Sequence, residues 1–328
     1  MTSETMRYVR IDTTRRPESG RRDDPRMGAR MVTLDGEPDP AVVRAVLVGV
    51  ACDRGVGLNG GRLGSAEGPQ RFRDFFWRLP APADIGQASV LDAGDLMSAG
   101  RTTETHGRLA EVVTVLRERF PSAKLVVIGG GHDHAYGEVV GMCDDLRRRV
   151  ETPRIAVLNV DAHADVRQHN NEPHSGTPFR RLIDEPRAGV AGPSMLAWGL
   201  QQGSNAQAHL DWLKAQGAAV VDWQTIDADP SAAARDLLAA MDVFASTHDG
   251  LAMSVDLDAF GQAVAPGVSA PAPVGVPAGA VLRAAAHLAG LPCATQMGIY
   301  ELNPRFDRDG ATARLAARLA WSYLTGQV

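Results

Sequence analysis

The sequence predicts a single α/β domain built on a mainly parallel sheet. Two features predict it. Short apolar runs alternate with longer amphipathic segments along most of the 328 residues, and several runs are continuous Val/Ile/Leu, as strands covered on both faces require. In addition, three clusters of acids and histidines each follow directly on such a run, at the carboxyl ends of strands where open parallel sheets keep their ligand crevice.

The elements follow in chain order. Residues 1–40 are rich in Arg, Asp, Pro, Gly and Ser with few apolar positions in any period. Such a segment buries too little surface to offset its ordering entropy, so a flexible N-terminal arm is expected there, ahead of one folded body at 41–328. Strands are expected at 44–50, 89–91, 124–128, 154–160, 195–198, 218–222, 250–255 and 294–299. Helices are expected at 108–120, 136–150, 209–216, 231–244, 279–288 and 311–325. The DADP segment at 227–230 offers a capping carboxylate to the helix that follows it. No internal repeat and no Pro/Gly-rich linker divides the body, which argues for one domain.

Composition excludes several classes. Hydrophobic residues at 44% and charged residues at 22% rule out disorder along the whole chain. A net charge of −5 argues against a nucleic-acid binder held by phosphate contacts. No apolar run of about 18 residues offers a membrane span, and the N-terminus has no signal-peptide core. Cys52, Cys143 and Cys293 fit neither a disulfide framework nor a zinc knuckle. They read as small apolar groups in a reducing cytoplasm, and the expected partner is a small-molecule substrate.

The chemistry sits in three motifs. Gly129-Gly130-Gly131-His132-Asp133-His134, Asp161-Ala162-His163-Ala164-Asp165 and Asp256-Leu257-Asp258 each end a predicted strand. Spacings of two residues put Asp161, His163 and Asp165 on one side of an extended segment, and likewise Asp256 and Asp258. The glycines before His132 allow the backbone to approach the other motifs closely. A single Asp-x-Asp at a strand end is commonly a turn, and a single buried histidine is commonly scaffolding. Three such clusters at three strand ends are hard to attribute to coincidence. Four carboxylates packed together without lysine or arginine repel one another unless a cation joins them. Imidazole and carboxylate donors suit Mn²⁺, Fe²⁺, Co²⁺ or Ni²⁺, and four carboxylates suit two ions ~3.5–4 Å apart better than one.

The segments GGGHDHAYG, NVDAHADVR and SVDLDAF, in this order, resemble the three metal motifs of the ureohydrolase family, which includes arginases, agmatinases and formimidoylglutamases. The resemblance runs from about Val48 to Ala320 and implies an arginase-like three-layer α/β/α fold, with 41–328 as its catalytic domain. It further implies two Mn²⁺ per subunit, other divalent transition ions being alternatives, and a homo-oligomer. Carried over, it places His132, Asp161, Asp165 and Asp256 on one ion and His163, Asp161, Asp256 and Asp258 on the second.

Four further segments, HSGTPFRR (174–181), DRGVGLNGGRLGSAEGPQRFR (53–73), APGVSAPAPVGVP (265–277) and ELNPRFDRDGATARLAARLAW (301–321), resemble formimidoylglutamases. These hydrolyse N-formimidoyl-L-glutamate to glutamate and formamide, a step of histidine breakdown. Where arginases carry a proton-transferring histidine this chain has Ser175, with His174 before it. Asp133 and Ala164 depart from the Glu and Phe common in formimidoylglutamases and bear on pocket shape, while His134 reads as packing at the surface or beside the site. The resemblance gives Asp165 and His174 as candidate proton carriers. Glu301, after the last strand, becomes the partner of a cationic formimino group, and Arg167, with Ser175, the contact for a substrate carboxylate. The competing readings are a ureohydrolase releasing urea from a guanidino acid and a non-catalytic metal-binding scaffold.

Overall fold

The computed structural model describes residues 9–10, 20–21, 23–82, 89–169 and 171–328. Among these, the strands are β1 (Val9–Arg10), β2 (Gly20–Arg21), β3 (Asp24–Pro25), β4 (Met31–Thr33), β5 (Val43–Ala51), β6 (Ser89–Met97), β7 (Lys124–Ile128), β8 (Ile155–Val160), β9 (Met195–Leu200), β10 (Ala219–Asp222), β11 (Gly250–Asp256) and β12 (Ala294–Tyr300). The main sheet runs β1-β6-β5-β7-β12-β11-β8-β9-β10, with β4 also paired to β6; a separate ribbon joins β2 and β3. Every pairing in the main sheet is parallel except β1 with β6.

Alternation along each strand builds the layers. Ala45, Leu47, Val126, Ile128, Leu158, Val160, Met253 and Ile299 face one apolar layer. It is completed by Phe72 and Phe76 of the helix Gly68–Phe76, Leu237 of Pro230–Thr247, Val281 of Ala278–Leu288 and Leu319 of Ala311–Thr325. Val46, Val48, Leu125, Val127, Val157 and Ala197 face the other, closed by Val113 of Thr102–Arg119, Val139 of Ala135–Leu146, Phe179 of Pro178–Asp184 and Leu213 of Gln207–Ala215. This is the three-layer α/β/α arrangement that the resemblance implies, on the mainly parallel sheet the residue pattern predicts. Asp229 caps Pro230–Thr247 through the Ser231 and Ala232 N–H groups, as the DADP segment foretells.

Three differences from the sequence reading have physical causes. β6 continues past residue 91 because its interruption by Asp92 and Asp95 is neutralised: Arg73 reaches Asp92 at 2.8 Å and Asp95 at 2.6 Å. The helix that carries Arg73, Gly68–Phe76, escapes a periodicity search because it spans only nine residues. Packing also starts upstream of the expected boundary at 40. β4 pairs with β6, and Met27 is fully buried with Phe72, Phe76 and Trp77, although sparse apolar residues among arginines give no period. The expected arm lies in part outside the described residues, at 1–8, 11–19 and 22.

The order β7-β12-β11-β8 makes the four strands that precede the motifs and Glu301 consecutive neighbours in the sheet. Segments up to 170 residues apart in sequence are thereby delivered to one stretch of sheet edge. The loop after β7 needs its glycines for space: a Cβ on Gly130 would sit 1.8 Å from the Cys52 carbonyl oxygen. Gly130→Ala is accordingly expected to cost ~3 kcal/mol of stability, as overpacking does, and to lower metal occupancy. Thermal melting and metal analysis check this, and a wild-type Tm would show that the loop has room to give.

Candidate metal centre

His132 opens the turn after β7, fully buried, its ring stacked on Tyr300 and edge-on to Phe179. Its Nε2 lies 2.8 Å from the Ser254 hydroxyl. With Nε2–H donating there, the Nδ1 lone pair is left facing inward. Nδ1 meets carboxylate oxygens of Asp161, Asp165 and Asp256 at 3.2, 3.1 and 3.1 Å. Among the described residues no hydrogen bond of proper geometry forms to it. A buried imidazole nitrogen ringed by three carboxylate oxygens has the donor set of a divalent transition ion.

A second group adjoins it. His163 Nδ1 lies 3.1 Å from Asp258 and 3.6 Å from Asp161. Ligand atoms of His132, Asp161, Asp165 and Asp256 cluster within 4.8 Å of one another, as do those of Asp161, His163 and Asp258. Asp161 belongs to both groups. Asp258 Oδ1 is also buried without a partner, so the residues fit a binuclear centre.

The convergence does not arise from an extended chain. Residues 161–163 bend, Asp165 takes a left-handed backbone (φ 49°), and Asp258 sits in the 3-10 turn Leu257–Ala259. Backbone N–H groups fix the acids: His163 N–H donates to Asp161 Oδ1 at 2.7 Å, and Asp258 N–H to Asp256 Oδ1 at 2.8 Å. Glu301 too is left-handed (φ 69°). Its Oε1 accepts from the His132 N–H at 2.8 Å and its Oε2 is buried without a partner. Non-glycine residues in this conformation cost of order 1–3 kcal/mol and concentrate at functional sites.

Electrostatics follow from the crowding. Burial, reinforced by Asp161, lifts the Asp165 carboxyl to about 6. Burial and Asp256 lift Glu301 to about 8. Burial and neighbouring acids also raise Asp256 and Asp258. Asp161 goes the other way: burial opposes it, but His132 and His163 hold it below the carboxylate range.

A cavity of about 180 Å³ adjoins the acids, with His163, Asp165, Asp256, Asp258 and Glu301 on its lining. Its volume is below the ~300–1,000 Å³ of drug-sized pockets, which suits an amino-acid-sized substrate. Arg167, Ser175, Asn59 and Ser269 line it as well. His174 does not. Its Nδ1 accepts from the Gly176 N–H at 3.2 Å, within its own turn. Asn59 and Ser269 escaped the sequence reading. For Asn59 a signal existed, since Asn-Gly-Gly after a helical segment marks a helix end.

His106, Asp133 and His134 form another buried cluster. Here the hydrogen bonds argue for support. Arg181 lies 3.0 Å from His106 Nδ1, and a guanidinium only donates, so the ring proton is on Nε2 and goes to Asp133 at 2.7 Å. His134, fully buried, lies 2.8 Å from the Gly131 carbonyl through Nδ1, which leaves it packed beside the site and not at the surface. Cys52 and Cys143 are buried and Cys293 partly so, all three free.

Comparison with known proteins places these observations. The family model described as arginase family matches residues 43–326. A formimidoylglutamase of Geobacillus thermodenitrificans is 33% identical over 289 residues, 88% of this chain and 86% of that protein. One of Rhodococcus jostii is 36% identical, covering 86% of each. Among solved structures, Trypanosoma cruzi formiminoglutamase with Mn²⁺ superposes with a TM-score of 0.78 at 28% identity, over 93% of this chain and 98% of that one. Formimidoylglutamase from Bacillus subtilis shares the fold with a TM-score of 0.82 at 23% identity, over 98% and 96%.

Proposed function

The chain belongs to the arginase family, and from that premise we propose that it is a formimidoylglutamase, cleaving N-formimidoyl-L-glutamate to L-glutamate and formamide with two Mn²⁺ held by His132, Asp161, His163, Asp165, Asp256 and Asp258. The observation that carries the reading is the pair of ligand groups joined at Asp161 beside a cavity that also holds Arg167. The ions, when bound, supply Lewis-acid activation of water. Asp256 takes part in both ion sites on this reading, and the protein is a homo-oligomer of the cytoplasm.

The chain's own residues do the rest. Glu301 Oε2, buried and unpartnered, receives an N–H of the cationic formimino group and fixes its carbon next to the acids. Asp165, on the cavity lining beside Glu301, is placed to take the proton of the attacking water and return it to the departing glutamate nitrogen. The C–O bond to the formimino carbon forms, the C–N bond to glutamate breaks, and formamide leaves. Arg167 binds a substrate carboxylate. Its side chain bonds to the neutral Asn59, and among the described residues no carboxylate lies within ion-pair distance of it. A cation left without an acidic partner at such a cavity favours an acidic substrate over arginine or agmatine.

The test is a product assay with Mn²⁺ on formimino and guanidino acids. Formamide and glutamate from formimidoylglutamate are the expected products. Urea from a guanidino acid, released faster, would move the substrate assignment to that acid, and no turnover of any would leave the scaffold reading. Arg167→Ala is expected to raise KM by ~10–100-fold with kcat little changed, the loss of a charge-assisted contact made equally in ground and transition states.

A further inference from the structure

Arg167 needs a restraint to serve as a carboxylate anchor, because a long exposed side chain carries considerable rotamer entropy. Asn59 supplies one. Its Oδ1 accepts from Arg167 Nη1 at 2.8 Å, and its Nδ2 donates to Ser175 Oγ at 3.0 Å. The amide is itself well fixed. Asn59 ends the helix Arg54–Leu58, its N–H directed to the Gly55 and Val56 carbonyls, and Gly60 follows in the left-handed conformation.

Two more contacts close the arrangement. Arg167 N–H donates to the Gly176 carbonyl at 2.8 Å, and Ser175 N–H to the Gly55 carbonyl at 3.2 Å. A Cβ on Gly176 would stand 3.0 Å from Arg167 Cδ and 3.1 Å from Asn59 Nδ2, so the absence of a side chain there lets the two pack. Three chain segments thus meet at one amide, all lining the cavity.

We propose that Asn59 is a positioning residue that holds the Arg167 guanidinium at the cavity and so sets the preference for an acidic substrate. This rests on the substrate reading above. One guanidinium N–H is spent on a neutral acceptor, which orients the fork while leaving its charge and other donors for the substrate. A carboxylate in the same place would orient it equally well but neutralise it.

That contrast supplies the test. Mn²⁺-loaded wild type, Asn59→Ala, Asn59→Asp, Arg167→Ala and the Asn59→Ala/Arg167→Ala double variant are compared for KM and kcat on N-formimidoyl-L-glutamate. Asn59→Ala is expected to raise KM about tenfold with kcat within about twofold. Asn59→Asp, which keeps the size and the acceptor for Arg167 and reverses the Ser175 bond so that the hydroxyl donates, is expected to raise KM at least as much, whereas a merely structural role would tolerate it. In the Arg167→Ala background the Asn59→Ala effect is expected to fall below about twofold, the non-additivity of a coupled pair. Unchanged KM in Asn59→Asp, or an undiminished effect without Arg167, would overturn the proposal. Should wild type release urea from a guanidino acid instead, the substrate reading falls, and the same proteins read the coupling on that acid.

Discussion

Asp161→Asn is expected to abolish turnover, lowering kcat/KM by on the order of 10³-fold or more, and to strip the centre of metal. Asp161 is the residue common to both ligand groups, so one neutral amide there weakens both at once. The change is nearly isosteric, and the oxygen that receives the His163 N–H at 2.7 Å is kept. The fold is therefore expected to be retained, and circular dichroism checks that. Metal content by mass spectrometry and formamide release at saturating substrate are the two readouts. Full activity in a metal-depleted Asp161→Asn protein would sink the two-ion centre. Arg167→Ala, by contrast, leaves the ligand groups intact and acts on KM.

Manganese is expected to raise Tm by several degrees, and to raise it more at pH 8 than at pH 6. Asp165, Asp256, Asp258 and Glu301 have folded pKa values above their ordinary ones, at about 6 for Asp165 and about 8 for Glu301. An acid of that kind weakens the fold when it ionises, so the metal-free protein loses stability as pH rises from the normal carboxyl range through about 8. His132 and His163 are raised by their carboxylate neighbours against the cost of burial, and their contribution is lost in the same direction. Asp161 has the opposite sign, but its window lies below the normal carboxyl range. A cation relieves the repulsion among the ionised acids. At 100 times Kd each site adds ~2.7 kcal/mol if the unfolded chain does not bind. Calorimetry with chelator and with excess Mn²⁺ at pH 6, 7 and 8 tests this. A metal-free Tm higher at pH 8 than at pH 6 would contradict it.

Much of the centre was legible in the sequence because it hangs on strand ends. The runs at 124–128 and 154–160 declare themselves by Val, Ile and Leu, those at 250–255 and 294–299 more weakly by Leu, Met, Val and Ile among small and polar residues, and the residue after a parallel strand has a predictable address. What periodicity could not convey was the path beyond. The turn at Asp165 and the helix end at Asn59 are set by local backbone geometry and long-range hydrogen bonds, which leave no repeating pattern. The two-residue spacing picked out side chains that the fold does bring together, but through a geometry the chain does not adopt. Nor could periodicity separate 174 from 175, where Ser175 lines the cavity and His174 does not.

The strand order carries a consequence for biosynthesis. β12, the last of the described strands in chain order, belongs between β7 and β11, in the middle of the sheet. As the polypeptide leaves the ribosome, neither flank can close on the other until β12, at Ala294–Tyr300, has been translated. Until then the unjoined edges offer backbone groups for mispairing, a hazard of slow, non-local topologies. Nascent chains of this design have reason to call on holding factors, and a chain released before residue 294 has neither the keystone strand nor Glu301.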